Sequence, residues 1–290
     1  MQVLVVGASG QVGGALARQL RARGDAVVGT HNRVAQPGTI PLAATDTAGT
    51  AALVERADAV FYAAAYTHVD GCEDDPATAF AVNRDAPAAA AQAAARRGAA
   101  FVFYSSEYVF DGVAGPYAED DPVRPVSVYG RSKLEGEQRV LEAHPDAVVV
   151  RTTVVYGLDP QEKNFVYQTL RKGRAGERLK VPADQRSSPT YVEDLAAASL
   201  LLLDKRARGV VHVAGDAVVD RYQFALEICR VFALDPGFLE PVTTASLGQK
   251  AARPLTAGLK IDRVERLGAT LRGPAAGLTA MREALRGRRG

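Results

Sequence analysis

The stretch MQVLVVGASGQVGGALARQLRARG, residues 1–24, decides the fold. It begins with a continuous apolar run, passes through Gly7, Gly10 and Gly13, and continues with apolar residues at helical spacing. A strand, a turn and a helix therefore follow one another. Glycines in such a turn allow positive backbone angles and let a pyrophosphate approach the free amides at the helix start. The stretch predicts a dinucleotide site.

Apolar strands and helical segments alternate through the rest of the first half. We expect strands at residues 26–30, 59–64, 99–105 and 147–152, and helices at residues 76–97 and 127–144. Strands that are apolar throughout and alternate with helices are typical of a parallel sheet covered on both faces. The sequence thus predicts an α/β fold, a doubly wound parallel sheet of the Rossmann type, over residues 1–156.

The alternation weakens in the second half. We expect helices at residues 164–172, 192–203, 220–232 and 273–290, and strands at residues 178–182 and 210–213. No linker rich in Pro, Gly or Ser separates this half from the first. Residues 157–290 are therefore predicted to form a smaller C-terminal substrate lobe, packed as one unit with the first domain.

The composition of the 290-residue chain excludes several classes of protein. With 47% hydrophobic and 23% charged residues it is neither disordered nor collagen-like, and a net charge of +2 gives little attraction to nucleic acid or anionic membranes. No apolar run approaches the roughly 20 residues of a membrane span, and no signal peptide is visible. Cys72 and Cys229 have no metal or redox spacing, which indicates reduced thiols and a cytoplasmic protein without an identified metal site.

The residues after the second strand bear on the choice of cofactor. An acidic side chain there would bind the adenine ribose hydroxyls of NAD. The sequence instead has His31, Asn32 and Arg33, with no carboxylate. Arg33, together with His31, could hold a 2′-phosphate, which favours NADPH while NADH stays open. The alternative is an exposed loop arginine without a ligand.

Tyr129 and Lys133 lie four residues apart in YGRSK, so a helix would place both on one face. A tyrosine on such a helix face can also be a packing residue without a chemical role. A phenol has a pKa near ~10 and is a poor acid at neutral pH unless its anion is stabilised, which Lys133 could do while holding the nicotinamide ribose. Ser105 or Ser106, at the end of the fourth strand, can hydrogen-bond a substrate carbonyl. Reduction of a ketone by a nicotinamide cofactor requires these parts.

The chain resembles an extended short-chain dehydrogenase/reductase and, more narrowly, the dTDP-4-dehydrorhamnose reductase family. The glycine turn, the serines and the Y-x-x-x-K pair are similar to the larger group. Six segments similar in type and order to the narrower family cover nearly the whole chain: AAAYTHVDGCEDDP (63–76), VN (82–83), YSSEYVFDG (104–112), PVSVYGRSKLEGE (125–137), DQRSSPT (184–190) and RPLTAGL (253–259).

The resemblance implies an NADPH-dependent reductase of the 4-keto group of a nucleotide-activated 6-deoxysugar. Tyr129 would be the proton donor, Lys133 its helper and Ser106 the residue at the carbonyl. The cofactor contacts that we expect are Gly7, Ser9, Gly10, Gln11, Val12, His31, Asn32, Arg33, Ala63, Ala64, Ala65, Tyr129 and Lys133. The substrate contacts that we expect are Tyr66, Thr67, Val69, Ser105, Glu107, Gln185 and Arg253.

Three positions depart from the family pattern. Ser106 stands where the family usually has threonine, and Glu107 carries its carboxyl one methylene further than the usual aspartate. Ala43 replaces an aspartate that often reaches the adenine. Serine at position 106 keeps the hydroxyl that the chemistry needs. The longer side chain of Glu107 leaves the identity of the sugar open, and alanine at position 43 could weaken the affinity for the cofactor.

Two alternatives stay open at this point. An NDP-sugar epimerase or dehydratase would use the same turn and tyrosine but usually has an acidic residue after the second strand. The chain also looks similar to the regulatory subunit of methionine adenosyltransferase, which binds a partner with NADP in support. The nucleotide base, the sugar, the product stereochemistry and a homodimeric assembly are likewise undetermined by the sequence.

Overall fold

A seven-stranded parallel sheet forms the centre of the computed structural model, which describes residues 1–287. The strands of the chain are β1 (Gln2–Val6), β2 (Ala26–His31), β3 (Thr39–Pro41), β4 (Ala59–Tyr62), β5 (Ala100–Ser106), β6 (Val148–Thr152), β7 (Val155–Tyr156), β8 (Leu179–Pro182), β9 (Arg186–Ser187), β10 (Thr190–Tyr191), β11 (Gly209–His212), β12 (Val219–Asp220) and β13 (Leu239–Val242). The central sheet has the order β11-β6-β5-β4-β1-β2-β3. Its parallel pairing confirms the predicted doubly wound fold.

Helices cover both faces of this sheet. The α-helices of residues 1–287 are α1 (Gln11–Ala22), α2 (Thr47–Val54), α3 (Val69–Asp74), α4 (Pro76–Phe80), α5 (Ala86–Arg97), α6 (Val128–Ala143), α7 (Phe165–Ala175), α8 (Val192–Asp204), α9 (Arg221–Phe232), α10 (Asp262–Arg266) and α11 (Pro274–Gly287). Val3 and Val5 of β1 pack in the apolar cluster that includes α1 and α8, whereas Leu4 and Val6 pack in the cluster that includes α2, α5 and α6. Because successive side chains of a strand point to opposite faces, a strand covered on both sides is apolar throughout.

The predicted helix over residues 76–97 contains a π-helical turn, Ala81–Asp85. Asn83 lies in this turn and is fully buried. Its amide oxygen accepts from the Tyr66 backbone at 2.8 Å, and its amide nitrogen donates to the Tyr66 carbonyl and to the Ser132 hydroxyl, both at 3.0 Å. A local widening of the helix thus ties the loop after β4 to α6, in keeping with the frequent occurrence of π-turns near functional sites.

Two elements from beyond residue 156 pack with the first half of the chain. Helix α8 packs against α1, and β11 pairs with β6, although both elements lie beyond residue 156, where we expected the first domain to end. The smaller lobe contains α7, α9 and α11 around a second apolar core, together with the two-stranded β8–β13 and β9–β12 pairs. The predicted terminal helix is present to Gly287, and its last three residues lie outside the described range.

Across residues 1–287, no helix is long and apolar enough to cross a membrane. The same range contains no group of three or more His, Cys, Asp and Glu side chains that could hold a metal ion. Cys72 and Cys229 are both buried and free.

Candidate active site

A cavity of about 650 Å³ opens where the carboxyl ends of β1, β4, β5 and β6 meet the smaller lobe. This edge of an open parallel sheet is where such folds bind ligands. Its lining residues are Gly10, Gln11, Val12, Gly13, Ala63, Ala65, Thr67, Val69, Tyr104, Ser105, Ser106, Glu107, Tyr108, Tyr129, Lys133, Thr152, Thr153, Val154, Val155, Asp159, Gln161, Lys163, Asn164, Gln185, Arg186, Ser187, Arg221 and Pro254.

The three glycines of the turn differ in how strictly the backbone requires them. Gly7 has a φ of +87°, and a Cβ there would lie 2.8 Å from the Ala64 nitrogen. Gly13 is helical, and its Cβ would lie 2.3 Å from the Gly7 carbonyl oxygen, so this glycine lets α1 pack on the turn. Gly10, the N-cap of α1, has a φ of −86°, so only the first of the three glycines needs the positive angle that we expected of the turn. No side chain of residues 1–287 caps α1, so the amides at its N-terminus can bind an anion.

The loop after β2 is anchored close to the glycine turn. The Thr30 hydroxyl accepts a hydrogen bond from the Gly7 amide at 3.1 Å. The His31 imidazole shares a 2.8 Å hydrogen bond with the Thr39 hydroxyl, so it is already engaged within the loop. Arg33 is exposed and makes no hydrogen bond or ion pair with residues 1–287. A free guanidinium at the end of β2 suits a phosphate there.

Tyr129 lies in the first turn of α6 and reaches the cavity wall. The Ser127 side chain caps this helix by accepting from the Gly130 amide at 3.1 Å, and the Glu73 carboxylate accepts from the Val128 amide at 2.8 Å. The Tyr129 ring packs edge-on against Tyr108, with centroids 5.3 Å apart. Burial raises the pKa of Tyr129 above its usual value, while a hydrogen bond with Ser106 opposes that rise. Tyr129 therefore holds its proton at neutral pH.

Lys133 lies one helical turn beyond Tyr129 and is almost fully buried. Its ammonium lies 4.2 Å from the centroid of the Phe103 ring. Burial lowers the pKa of Lys133 to about 7, and the Glu137 carboxylate, a further turn along α6, acts in the opposite direction. The Arg151 guanidinium donates hydrogen bonds of 2.7, 3.0 and 3.2 Å to the Glu137 carboxylate. Tyr129, Lys133 and Glu137 therefore lie on one face of α6, and Arg151 of β6 pairs with Glu137.

The end of β5 supplies three polar side chains to the same wall. The Ser106 hydroxyl accepts from the Tyr108 amide at 3.3 Å, and the buried Ser105 hydroxyl has no partner among residues 1–287. The Glu107 carboxylate accepts from the Gly258 amide at 3.1 Å. Burial raises the pKa of Glu107 to about 7, so near neutrality it can either donate or accept a hydrogen bond.

Many of the residues predicted from the sequence meet in this cavity. The catalytic candidates Ser106, Tyr129 and Lys133 all line it. The other predicted contacts at its wall are Gly10, Gln11, Val12, Ala63, Ala65, Thr67, Val69, Ser105, Glu107 and Gln185.

The other predicted contacts lie outside the wall. They are Gly7, Ser9, His31, Asn32, Arg33, Ala64, Tyr66 and Arg253. The Ala64 backbone packs directly against Gly7. The Tyr66 amide donates to the Asn83 side chain, and the Arg253 guanidinium pairs with the Asp70 carboxylate at 2.9 Å. The exposed residues after β2 lie at the sheet edge beyond the cavity.

Several lining residues were not anticipated from the sequence, and four of them bear on the chemistry of the site. Tyr108 packs on Tyr129, Arg221 begins α9, and Gln161 with Lys163 belongs to the loop after β7. The Gln161 amide donates to the Ser9 carbonyl at 3.3 Å, which brings this loop over the glycine turn. Tyr108 lies two residues after Ser106 in the segment YSSEYVFDG, so its position could be read from the sequence. Contacts between segments more than 150 residues apart carry no local pattern.

The arrangement can reduce a carbonyl group. A protonated phenol, a serine hydroxyl and a cation line one wall, and a turn suited to a dinucleotide pyrophosphate lines another part of the same cavity. A ketone between them could receive a proton from one side of the site while the nicotinamide ring lies beside it.

Comparisons with known proteins match this geometry. The family described as the RmlD substrate binding domain matches residues 1–286. A probable low-salt glycan biosynthesis reductase, Agl14, of Haloferax volcanii is 37% identical over 277 residues, with 91% of each chain covered. A dTDP-4-dehydrorhamnose reductase of Mycobacterium tuberculosis is 39% identical, covering 87% of this chain and 82% of its own. The structure of a dTDP-4-dehydrorhamnose reductase of Bacillus anthracis in complex with NADP superposes with a TM-score of 0.89 at 29% identity, covering 98% of this chain and 99% of that chain.

Proposed function

The chain belongs to the family of the RmlD substrate binding domain, and from this premise we propose that it is an NADPH-dependent reductase of the 4-keto group of a nucleotide-activated 6-deoxysugar. The observation that carries the proposal is the convergence of Tyr129, Lys133 and Ser106 at one wall of a cavity that also borders the glycine turn. Relatives with this function align over most of their length, so the whole fold and not one motif supports it.

The residues present fit a dinucleotide. A Cβ at Gly13 would collide with the turn, and α1 has no side-chain cap within residues 1–287. The small residues Ala63 and Ala65 line the cavity just after β4. We propose that this surface holds the pyrophosphate and nicotinamide halves of NADPH and that Arg33 contacts the 2′-phosphate. When bound, the cofactor supplies the hydride.

The side chains of the chain supply and control the proton. We propose that the Tyr129 hydroxyl donates its proton to the ketone oxygen and that the Ser106 hydroxyl hydrogen-bonds the same oxygen. A charged Lys133 stabilises the phenolate that Tyr129 becomes, because an opposite charge lowers the pKa of a phenol. Low exposure of all three side chains keeps bulk water from competing for that proton.

Turnover of a defined ketosugar tests the proposal. Purified protein with NADPH and dTDP-4-dehydrorhamnose should consume the absorbance of the reduced nicotinamide. Tyr129→Phe should lower the rate by about 10²- to 10⁴-fold and leave NADPH binding intact. Tyr222→Phe, a half-buried tyrosine of α9 outside the cavity wall, is the matched control and should retain activity. Bound NADPH without turnover would favour the regulatory alternative.

The assembly state and location stay predictions from the sequence. We propose a cytoplasmic protein and allow for a homodimer, which light scattering coupled to gel filtration measures directly. A single species of monomer mass would reject the dimer.

A further inference from the structure

The cavity wall carries more positive than negative charge. Four cationic side chains line it, Lys133, Lys163, Arg186 and Arg221, against the carboxylates of Glu107 and Asp159. Asp159 is occupied by the amides of its own loop, which donate to it at 2.8 and 2.9 Å, and Glu107 accepts from the Gly258 amide. The cations of the cavity are therefore not neutralised by its acids.

Arg221 has no ion-pair partner among residues 1–287 although it is partly buried. Its guanidinium also makes no hydrogen bond with any residue from Met1 to Gly287. Its one ring contact places the guanidinium carbon 4.8 Å from the centroid of Phe165. Burial lowers the pKa of Arg221, the interactions with Tyr108 and Glu107 oppose that change, and the positive charge of Arg253 adds to it. A partly buried guanidinium without an anion is costly, so an anionic ligand would relieve it.

The backbone fixes Arg221 in this position. The preceding residue, Asp220, caps α9 by accepting from the Gln223 amide at 2.7 Å, and the Arg221 amide donates to the Gln185 carbonyl at 2.9 Å. Gln185 lines the cavity as well. The side chain thus projects from a capped helix terminus that is also tied to the neighbouring strand.

The location of Arg221 indicates which anion it meets. It lines the cavity together with Tyr108, which packs against Tyr129, and its amide donates to the Gln185 carbonyl. Arg221 therefore lies at the part of the wall that the smaller lobe supplies, where the substrate is expected. The cofactor side has its own cation, Lys163, whose ammonium donates to Gln161 while Gln161 reaches the glycine turn. In a nucleotide sugar the diphosphate is attached at C1, across the ring from the C4 ketone, and so extends away from Tyr129.

We propose that Arg221 binds the diphosphate of the nucleotide-sugar substrate and forms the anion subsite of the smaller lobe. This inference rests on the proposed function and adds to it a specific recognition residue. Guanidinium groups bind phosphate oxygens through paired hydrogen bonds, which gives orientation as well as affinity. Holding C1 at Arg221 would direct C4 toward the serine and the tyrosine.

Calorimetric titration of dTDP into protein saturated with NADP⁺ tests the subsite, because the saturated cofactor site cannot take up the probe. Arg221→Met should weaken dTDP by about 10- to 100-fold, and Arg221→Lys should lie between that variant and the wild type. Thymidine, which lacks the phosphates, should bind all three proteins equally. Arg230→Met removes an exposed arginine of the same helix, paired with Glu227, and should change nothing. Retained NADP⁺ affinity and an unchanged unfolding temperature establish that the variants are folded.

Wild-type affinity for dTDP in Arg221→Met, or an equal loss of thymidine binding, would overturn the proposal, as would Arg221→Lys binding no better than Arg221→Met. Turnover of the ketosugar separates this failure from failure of the proposed function. If the wild type is active and Arg221→Met has an unchanged KM and dTDP affinity, the subsite alone is wrong. If the wild type neither binds dTDP nor turns over the ketosugar, both proposals fail.

Discussion

Removal of Glu137 should destabilise the protein far more than removal of any surface carboxylate. The side chains of Glu137 and Arg151 are 3% and 5% exposed and are joined by hydrogen bonds of 2.7 and 3.0 Å. Arg151 also contacts the Phe110 ring at 5.1 Å, so it cannot easily turn to water when its partner is lost. Breaking a buried pair by removing one member costs about 3–5 kcal/mol, because it leaves an uncompensated buried charge. We expect that loss for Glu137→Leu.

Urea unfolding followed by circular dichroism measures this loss. The double variant Glu137→Leu/Arg151→Met should recover most of it, because replacing both charges by apolar groups is often nearly neutral. Arg84→Ala is the control, since its pair with Glu135 is 29% and 41% exposed and should contribute no more than about 1 kcal/mol. A loss for Glu137→Leu as small as that for Arg84→Ala, or a double variant as unstable as the single one, would refute the reasoning.

The same change should affect activity. Glu137 opposes the effect of burial on the pKa of Lys133, so its removal should lower that pKa further. Lys133 would then lose its charge at a lower pH, and the alkaline limit of NADPH oxidation should move to lower pH. An unchanged alkaline limit would show that Glu137 does not act on Lys133.

Three further predictions concern single side chains. Gly13→Ala should abolish cofactor binding or folding, because its Cβ would lie 2.3 Å from the Gly7 oxygen. Gly14→Ala is the control and should be tolerated, because the nearest atom to its Cβ lies at 3.5 Å. NADPH titration and thermal unfolding measure both effects, and a Gly13→Ala variant that folds and binds NADPH would contradict the packing argument. Arg33→Ala should weaken NADPH by about 10-fold or more and NADH by much less, and equal weakening would remove it from the 2′-phosphate. Because the folded-state pKa of Glu107 is raised from 4.5 to about 7, its contribution to stability is fully present below pH 4.5 and is lost as pH rises through 7. Glu107→Gln should therefore gain stability relative to the wild type over that window in thermal unfolding, and a pH-independent difference would contradict the raised pKa.

Local sequence patterns predicted much of the fold. The apolar strands and the helices of the central sheet follow directly from unbroken hydrophobic runs and helical spacing, as in β1 and α1. The edge strand β3, residues 39–41, was missed because three residues with partly exposed side chains give no periodic signal. The π-helical turn was missed for a different reason, since it depends on the buried amide of Asn83 and not on a local propensity.

The candidate site shows the same division. The sequence identified Tyr129, Lys133 and Ser106, because short segments contain both the reactive side chains and their spacing. Arg221 was not, because an arginine at the start of a helix acquires meaning only when the fold brings it beside Glu107. Arg253 was expected at the substrate and pairs with Asp70 outside the cavity wall, a partner that lies 183 residues away in the chain.

The position of β11 has a consequence for biosynthesis. Residues 209–212 form the outermost strand beside β6, so a nascent chain that has emerged only to residue 156 presents the hydrogen-bonding groups of β6 to the solvent. The central sheet of the nucleotide-binding half is complete only when β11 has been synthesised and has paired with β6. Truncation before Gly209 should therefore yield aggregating material, and the two lobes should acquire their native form together.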